Sequence, residues 1–269
     1  MDSMSYQDGR VIYLPDPEAA LPPWQALSNL PLLILVGLTG VGKSTVTAAL
    51  AERLDFVLLP NRRQITDTVI ITSLQQADGE RVQPVGDRLK RLEYTARYRR
   101  QHFGGMAYAL SRFAVELVQA HLPLVFDGIR GLDEVQGAIE YFPQARFLVL
   151  DAPDLVRLSR LLNRGDSFDQ VSFATGPDQS VVEALRSIPN LELVFGQTDL
   201  AQISRSLTDL PVDEVVAKAA LIVKERHNYD SQAAKAFLLD HLPAERVLVL
   251  DTSSAGPGDL AGRIVDWLA

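Results

Sequence analysis

The chain has no cysteine, so disulfide bonds and thiolate metal sites are excluded, as in many proteins of reducing compartments. Long apolar runs are also missing. The run LPLLILVGL, residues 30–38, has the length of a strand and falls well short of a membrane span. The N-terminal sequence MDSMSYQDGR lacks the basic start and apolar run of a secretory signal. These absences predict a cytoplasmic protein that does not enter a membrane.

Positive charge is scarce as well, because 26 basic residues face 34 acidic ones and the formal net charge is -8. This balance argues against a general nucleic-acid binder, which would be basic overall. Lysine is rare, and most of the basic residues are arginines, many of them between residues 62 and 112. Arginine suits phosphate and carboxylate groups. Two interpretations of this cluster stay open, an anion-binding region or a solvated helix face.

Short apolar runs and helical patterns alternate along the chain, which predicts an α/β fold with a parallel sheet. We expect a three-layer αβα sandwich around a mainly parallel five-stranded sheet, with a helical insertion before the last strand. The first run, LLILV, has no polar residue, as in a strand that is buried on both faces. The five predicted strands lie in the segments 32–36, 55–60, 122–128, 145–152 and 246–252.

The predicted domain organisation is an N-terminal arm over residues 1–30 followed by one domain over residues 31–269. Scattered prolines and the lack of any sustained period predict a mostly irregular arm with room for one short helix. Residues 61–121 are predicted to be a helical region, with Gly104 and Gly105 separating a helix over 86–101 from another over 106–121. Residues 165–245 are predicted to be a helical insertion, with one possible short strand at LELVF, residues 191–195.

The segment GLTGVGKS, residues 37–44, fits the phosphate-binding pattern G-x-x-x-x-G-K-[ST] at every fixed position. It lies between a predicted strand and a predicted helix, which is the context that the pattern requires. The glycines allow successive backbone N–H groups to point at phosphate oxygens. The predicted nucleotide-binding residues are consecutive: Gly37, Leu38, Thr39, Gly40, Val41, Gly42, Lys43, Ser44 and Thr45.

This loop predicts ATP and Mg²⁺ as ligands, although its residues do not distinguish ATP from GTP. Lys43 would reach the β- and γ-phosphates, and the Ser44 hydroxyl would bind Mg²⁺. Asp127 ends the apolar run LVFD and is the predicted acidic partner of Mg²⁺. The next residue is Gly128, where a hydrolytic motor of the AAA+ type usually carries a glutamate that activates water. The sequence also lacks an Asn-Lys-x-Asp motif for guanine.

The order of phosphate loop, arginine-rich segment, strand aspartate and LVLDAPDLVRLSRLLNRGD resembles the P-loop kinases of nucleotides and small metabolites, including the dephospho-coenzyme-A-kinase-like members. The resemblance covers about residues 31–170. It implies that the helix after the fourth strand leads into a lid, formed by the insertion over residues 165–245, with Arg160 and Arg164 as catalytic residues beside Lys43 and Asp127. The spacing of Arg157, Arg160 and Arg164 would place them on one helix face. It also implies that the segment after the second strand binds the phosphate acceptor, with candidates Arg62, Arg63, Asp67 and Arg100.

The main hypothesis is a Mg²⁺-dependent phosphotransferase that moves the γ-phosphate of ATP to a small anionic or phosphorylated metabolite. One alternative is an ATPase or nucleotide-dependent regulator that acts with a protein partner, with residues 171–245 and the N-terminal arm as interaction surfaces. A further alternative is a nucleotide-binding structural protein without turnover. The glycine after Asp127 and the arginines at the presumed acceptor and lid positions favour transfer over hydrolysis. The identity of the acceptor stays open.

Overall fold

The computed structural model describes residues 5–6, 9–119, 121–163, 180–206 and 210–269. Strands and helices alternate through most of this part of the chain. The strands are β1 (Ser5–Tyr6), β2 (Val11–Tyr13), β3 (Trp24–Ala26), β4 (Leu32–Val36), β5 (Val57–Leu58), β6 (Phe113–Glu116), β7 (Leu124–Ile129), β8 (Arg146–Asp151) and β9 (Val247–Asp251).

The helices within the same residues flank these strands and fill the segments between them. They are α1 (Lys43–Ala51), α2 (Arg62–Ile65), α3 (Thr72–Ala77), α4 (Arg88–Gln101), α5 (Met106–Ser111), α6 (Leu132–Tyr141), α7 (Asp154–Leu162), α8 (Val181–Arg186), α9 (Gln197–Ser206), α10 (Val212–Asn228), α11 (Ser231–His241) and α12 (Pro257–Leu268). A π-helical stretch, Thr66–Ile71, joins α2 to α3.

The central sheet is parallel and has the order β5-β7-β4-β8-β9, which confirms the predicted fold class. All five residues of β4 are buried. Its side chains alternate between two cores: Leu32, Ile34 and Val36 pack with α5, α6 and α11, whereas Leu33 and Leu35 pack with α1 and α12. The sheet therefore has helices on both faces, as the continuous apolar run of its central strand predicts.

A second, antiparallel sheet has the order β1-β2-β6-β3 and contradicts the prediction of an irregular N-terminal arm. Strands β2 and β3, from the first 30 residues, pair with the two edges of β6. Each of them has only three residues, so neither carries a periodic pattern long enough to detect in the sequence. Pairing with a distant strand supplies the backbone hydrogen bonds that make these short segments regular.

The predicted helix over residues 106–121 is wrong beyond Ser111. Helix α5 ends there, and Phe113, Ala114 and Val115 become the fully buried centre of β6. The apolar spacing in this segment suits a helix, but pairing with strands on both sides overrides the local preference. The break predicted at Gly104 and Gly105 is present, and both glycines have positive φ angles of 73° and 49°.

The described parts of the segment 165–245 are helical, as predicted, and they build a third hydrophobic cluster together with α7. The possible strand at LELVF is instead a 3₁₀ turn over Leu191–Leu193, which follows Asn190 in the left-handed conformation. Helix α10 is the centre of this cluster, because Val215, Val216, Ala219, Ile222 and other apolar residues of α10 are buried. It carries few exposed residues and forms part of the interior.

None of the helices in the described part of the chain is long and apolar enough to cross a membrane.

Candidate functional site

A cleft of about 870 Å³ lies at the carboxyl ends of the parallel strands. The turns after β4, β7 and β9 contribute to its walls, as expected for ligand sites in open α/β sheets. Its charge is one-sided, because seven cationic side chains and one carboxylate, that of Asp127, are among the described residues that line it. The seven cations are Lys43, Arg62, Arg63, Arg88, Arg91, Arg130 and Arg160.

The phosphate loop lies between β4 and α1 and forms one wall of this cleft. Gly40 and Gly42 have φ angles of 83° and 94°, which residues with a Cβ atom rarely adopt. A Cβ at Gly37 would lie 2.6 Å from the backbone oxygen of Leu150. Helix α1 begins at Lys43, so its N-terminal end and the exposed hydroxyls of Ser44 and Thr45 face the cleft. This arrangement suits a phosphate group.

The Lys43 side chain folds back along the loop. Its Nζ donates to the carbonyl oxygens of Gly37 at 2.6 Å and Leu38 at 3.0 Å. Burial and the nearby Arg130 lower the pKa of Lys43 to about 7, although Asp127 and Glu225 act in the opposite direction. A bound phosphate would add negative charge beside the ammonium group and would therefore favour its charged form.

Ser44 and Asp127 both line the cleft, Ser44 from the start of α1 and Asp127 from near the end of β7. A hydroxyl and a carboxylate are the oxygen donors that Mg²⁺ accepts, and Mg²⁺ normally completes its shell with waters and nucleotide phosphates. The donor set therefore fits Mg²⁺ as a companion of a bound nucleotide.

Position 128, next to Asp127, has no room for a side chain. A Cβ there would lie 2.2 Å from Cζ of Phe126, and that ring is completely buried. A glutamate directly after Asp127 would require Phe126 to move within a packed core. The packing therefore explains the glycine that the sequence shows at this point.

Arg62, a predicted acceptor residue, lines the cleft, but its guanidinium is already engaged by protein groups. It forms a bidentate pair with Glu134, at 2.7 and 2.8 Å, and also donates to Gly128 O at 2.5 Å and Tyr229 Oη at 2.7 Å. Both residues of the ion pair are buried. Arg62 thus ties the start of α2 to the end of β7, and these contacts leave it few donors for a ligand.

The other acceptor candidates are placed differently from one another. Arg63 is exposed and lines the cleft. Asp67 pairs with the cleft residue Arg91 and is not itself part of the lining. Arg100 lies near the opposite end of α4, and a rise of about 1.5 Å per residue puts it about 18 Å from Arg88 along the helix axis. The structure does not bring Arg100 into the cleft.

Of the two predicted lid arginines, Arg160 falls within the described residues, and both it and Arg157, predicted on the same helix face, contact the phosphate loop. Arg160 donates to Gly40 O at 3.3 Å, and it also binds the hydroxyl and carbonyl oxygens of Thr252 at 2.9 and 2.8 Å. Arg157 is completely buried and donates from Nε to Thr39 O at 2.7 Å. Arg164 lies outside the described residues.

The structure adds four charged residues that the sequence prediction did not assign to the site: Glu225, Arg88, Arg91 and Arg130. The three arginines line the cleft, and the buried Glu225 carboxylate lies behind Arg130. Arg130 follows Asp127 by three residues at a strand end, and that position was a usable signal in the sequence. Glu225 is 186 residues from Thr39, its partner in the loop, and no motif marks it. Only the folded chain brings them together.

Solved structures that resemble this chain include kinases and sulfotransferases. A sugar kinase from Janibacter sp. is 17% identical with a TM-score of 0.39, and the match covers 89% of this chain and 94% of that one. A sulfotransferase from Alicyclobacillus acidocaldarius is 13% identical with a TM-score of 0.40, covering 88% and 80%. A shikimate kinase from Acinetobacter baumannii is 15% identical with a TM-score of 0.34, covering 89% and 93%. All three likenesses are distant.

No protein of curated function matches the sequence. A family model described as an AAA domain matches residues 33–173, just over half of the chain. The match includes the phosphate loop, the strand that carries Asp127 and helix α7. The chain therefore belongs to the AAA domain family and has the fold of a P-loop NTPase.

Proposed function

We propose that this protein is a Mg²⁺-dependent phosphotransferase that moves the γ-phosphate of ATP to a small anionic or phosphorylated metabolite. The observation that carries the proposal is the arrangement of the cleft, in which a phosphate loop lies between an apolar end and an arginine-lined end. Ala255, Pro257 and Leu260 follow the edge strand β9 and line the apolar end together with Val46. Asn61 and Arg63 follow β5, at the other edge of the sheet, and line the opposite end together with Arg88 and Arg91.

In this arrangement the nucleotide base would lie at the apolar end and its phosphates along the loop. Lys43 and the N-terminal end of α1 would hold the β- and γ-phosphates, and Arg160 would approach them from α7. Ser44 and Asp127 would hold Mg²⁺, which neutralises phosphate charge when bound. Arg130 lines the same cleft as Lys43, and it is the charged group that lowers the pKa of that lysine most. In the proposed complex Arg130 would face the γ-phosphate.

The arginine-lined end is the proposed acceptor site. Arg63 and Arg91 lie there with Asn61 and Thr66 on the side of the cleft formed by α2 and the start of α4. Arg91 already donates to Asp67 and to the backbone oxygens of Val85 and Arg63, so the exposed Arg63 is the main candidate for contact with the acceptor. Guanidinium groups bind phosphate and carboxylate in a bidentate manner, so the acceptor would carry at least one such group. This assignment keeps Arg63 from the sequence prediction and replaces Arg100 by Arg88 and Arg91. Catalysis would consist mainly of positioning and charge neutralisation.

The proposal is tested in two steps with the full chain. First, thermal shift with Mg²⁺ and the ATP analogue AMP-PNP is run against a panel of phosphorylated sugars, nucleoside monophosphates and small carboxylates. A ligand at 100 times its Kd should raise the free energy of unfolding by about 2.7 kcal/mol. Compounds that stabilise the protein are then incubated with ATP and Mg²⁺, and products are identified by mass spectrometry and phosphorus NMR.

The expected result is a phosphorylated product together with stoichiometric ADP. Lys43→Ala should abolish its formation, whereas Lys90→Ala, at an exposed position on α4 outside the cleft, should not. Release of inorganic phosphate alone, with every compound in the panel, would contradict the proposal. If added cell extract accelerated that release without a phosphorylated metabolite, the result would support the alternative of an ATPase with a protein partner.

A further inference from the structure

The carboxylate of Glu225 on α10 connects the third hydrophobic cluster, which contains α7 and α10, to the phosphate loop. It is 1% exposed. Its oxygens accept from the backbone N–H of Thr39 at 3.0 and 3.2 Å and from the Thr39 hydroxyl at 2.7 Å. The N–H of Thr39 is thus satisfied by a protein group and does not depend on a ligand.

The arginines around Glu225 come from separate elements. Arg157 on α7 pairs with it at 2.5 Å, and Arg130 after β7 pairs with it at 2.7 Å. Arg88 on α4 donates to the Thr39 hydroxyl at 2.9 Å. Because Arg157 also donates to Thr39 O, the Glu225–Arg157 pair binds both backbone polar groups of Thr39. These buried contacts therefore fix the backbone of the phosphate loop at Thr39.

Arg130 differs from Arg157 because it also faces the cleft. Its side chain is 15% exposed, and it is among the residues that line the cleft. Glu225 holds one terminal nitrogen, NH1, while the buried Nε has no hydrogen-bond partner among the described residues. A guanidinium carries five N–H donors in a rigid fork, so fixing one edge directs the remaining donors.

We infer that Glu225 is a positioning residue of the phosphate site, which orients Arg130 toward the γ-phosphate and fixes the loop at Thr39. The inference rests on the proposed function only in taking the cleft to bind a nucleoside triphosphate. Through Glu225, helix α10 becomes a component of the nucleotide site. A role as general base does not fit this carboxylate, since its lone pairs are already used by Thr39, Arg130 and Arg157.

A comparison of nucleotides with and without the γ-phosphate separates the proposed role from a general loss of stability. ADP lacks the γ-phosphate, so the ratio of the Kd for ADP to the Kd for AMP-PNP reports on contacts to that group. Isothermal titration calorimetry with Mg²⁺ gives both constants without any acceptor. Loss of one well-oriented, charge-assisted hydrogen bond corresponds to about a tenfold change in Kd. In Glu225→Gln we expect this ratio to fall about tenfold.

A double-variant cycle then tests whether Glu225 acts through Arg130. Arg130→Gln should lower the same ratio about tenfold, and the combination with Glu225→Gln should lower it no further than Arg130→Gln alone. Glu93→Gln, an exposed carboxylate on α4, makes the same chemical change away from the cleft and should leave the ratio unaltered. Circular dichroism and a melting curve establish that each variant is folded.

Three outcomes would overturn the inference: an equal change in both Kd values, an unchanged ratio in Arg130→Gln, or additive losses in the double variant. If Glu225→Gln does not fold, Arg130→Gln alone still decides, because an unchanged ratio there excludes the proposed contact. A chain that binds both nucleotides with the expected ratios but yields no phosphorylated product would contradict the proposed function and leave this inference standing. A chain that binds neither nucleotide would overturn both.

Discussion

Gly128 shows at the scale of one residue how packing constrains the chemistry of the site. Residues i and i+2 of a strand lie on the same face, and the buried ring of Phe126 occupies the space where a Cβ of residue 128 would be. A glutamate cannot therefore be added after Asp127 without rebuilding the core. The glycine is consistent with a site that does not use an adjacent carboxylate to activate water.

Gly128→Ala should destabilise the protein by about 1–3 kcal/mol, the usual cost of overpacking a core. Gly86→Ala is the matched control, because nothing lies within 4 Å of its added Cβ. The control should change the free energy of unfolding by less than about 1 kcal/mol. Urea denaturation followed by circular dichroism measures both values. Equal stabilities for the two variants would show that Phe126 yields easily and that packing does not exclude a side chain at 128.

Helix α4 is the element that presents Arg88 and Arg91 to the cleft. Its N-cap is Asp87, whose Oδ1 accepts from the backbone N–H groups of Leu89 at 2.8 Å and Lys90 at 3.1 Å. The capped end is the end that borders the cleft. Order in the first turn of this helix therefore sets the positions of two of the cleft arginines.

Asp87→Ala should lower the free energy of unfolding by about 1 kcal/mol and weaken the binding of inorganic tripolyphosphate relative to Asp87→Asn. The asparagine variant removes the same charge and keeps a capping side chain, so the comparison isolates the cap. Asp230→Ala removes the equivalent cap of α11, away from the cleft, where Asp230 accepts from Ala233 N at 2.8 Å. It should cost similar stability without altering tripolyphosphate affinity by calorimetry. Equal affinities of Asp87→Ala and Asp87→Asn would argue against the role given to α4.

The sequence predicts the parallel sheet because its strands are continuous apolar runs, and a strand buried on both faces has few alternatives. It does not predict β6, where a helical spacing from Met106 to Phe113 competes with pairing to strands that lie about 90 and about 100 residues earlier in the chain. The local sequence pattern predicts the secondary structure where local contacts dominate, whereas long-range strand pairing determines it elsewhere. The phosphate loop is one contiguous segment, so its pattern can be recognised in the sequence. The contacts of Glu225 join four distant segments, so no local pattern reveals them.

At the scale of the whole molecule, Glu225 joins the α7–α10 cluster to the sheet. Burial would raise the pKa of this carboxyl group, but Arg130, Arg157 and Arg88 lower it to about 2 from an ordinary value of 4.5. A carboxyl group with a lowered folded-state pKa binds its proton more readily in the unfolded chain. Its contribution to stability is therefore present above pH 4.5 and is lost as pH falls toward about 2.

Glu225→Gln should cost about 3–5 kcal/mol of folding free energy at neutral pH, since it leaves buried arginines without their charged partner. The difference from the unsubstituted protein should narrow as pH falls from 4.5 toward about 2. Urea denaturation at a series of pH values gives this difference directly. Glu93→Gln, with an exposed carboxylate, should show a small difference at every pH. If the difference in unfolding free energy between Glu225→Gln and the unsubstituted protein stays constant through this range, the Glu225 carboxylate is not the titrating group.

The antiparallel sheet determines how far the chain can be shortened from its N-terminal side. Strand β6 pairs on one edge with β2 and on the other with β3, and both partners precede the phosphate loop in the chain. The family match begins at residue 33 and leaves both of them out. A fragment with those limits would expose both edges of a buried, apolar strand, which is the geometry that leads chains to associate and precipitate. A shortened chain that keeps both edges of β6 paired therefore has to begin ahead of the region by which the family is recognised.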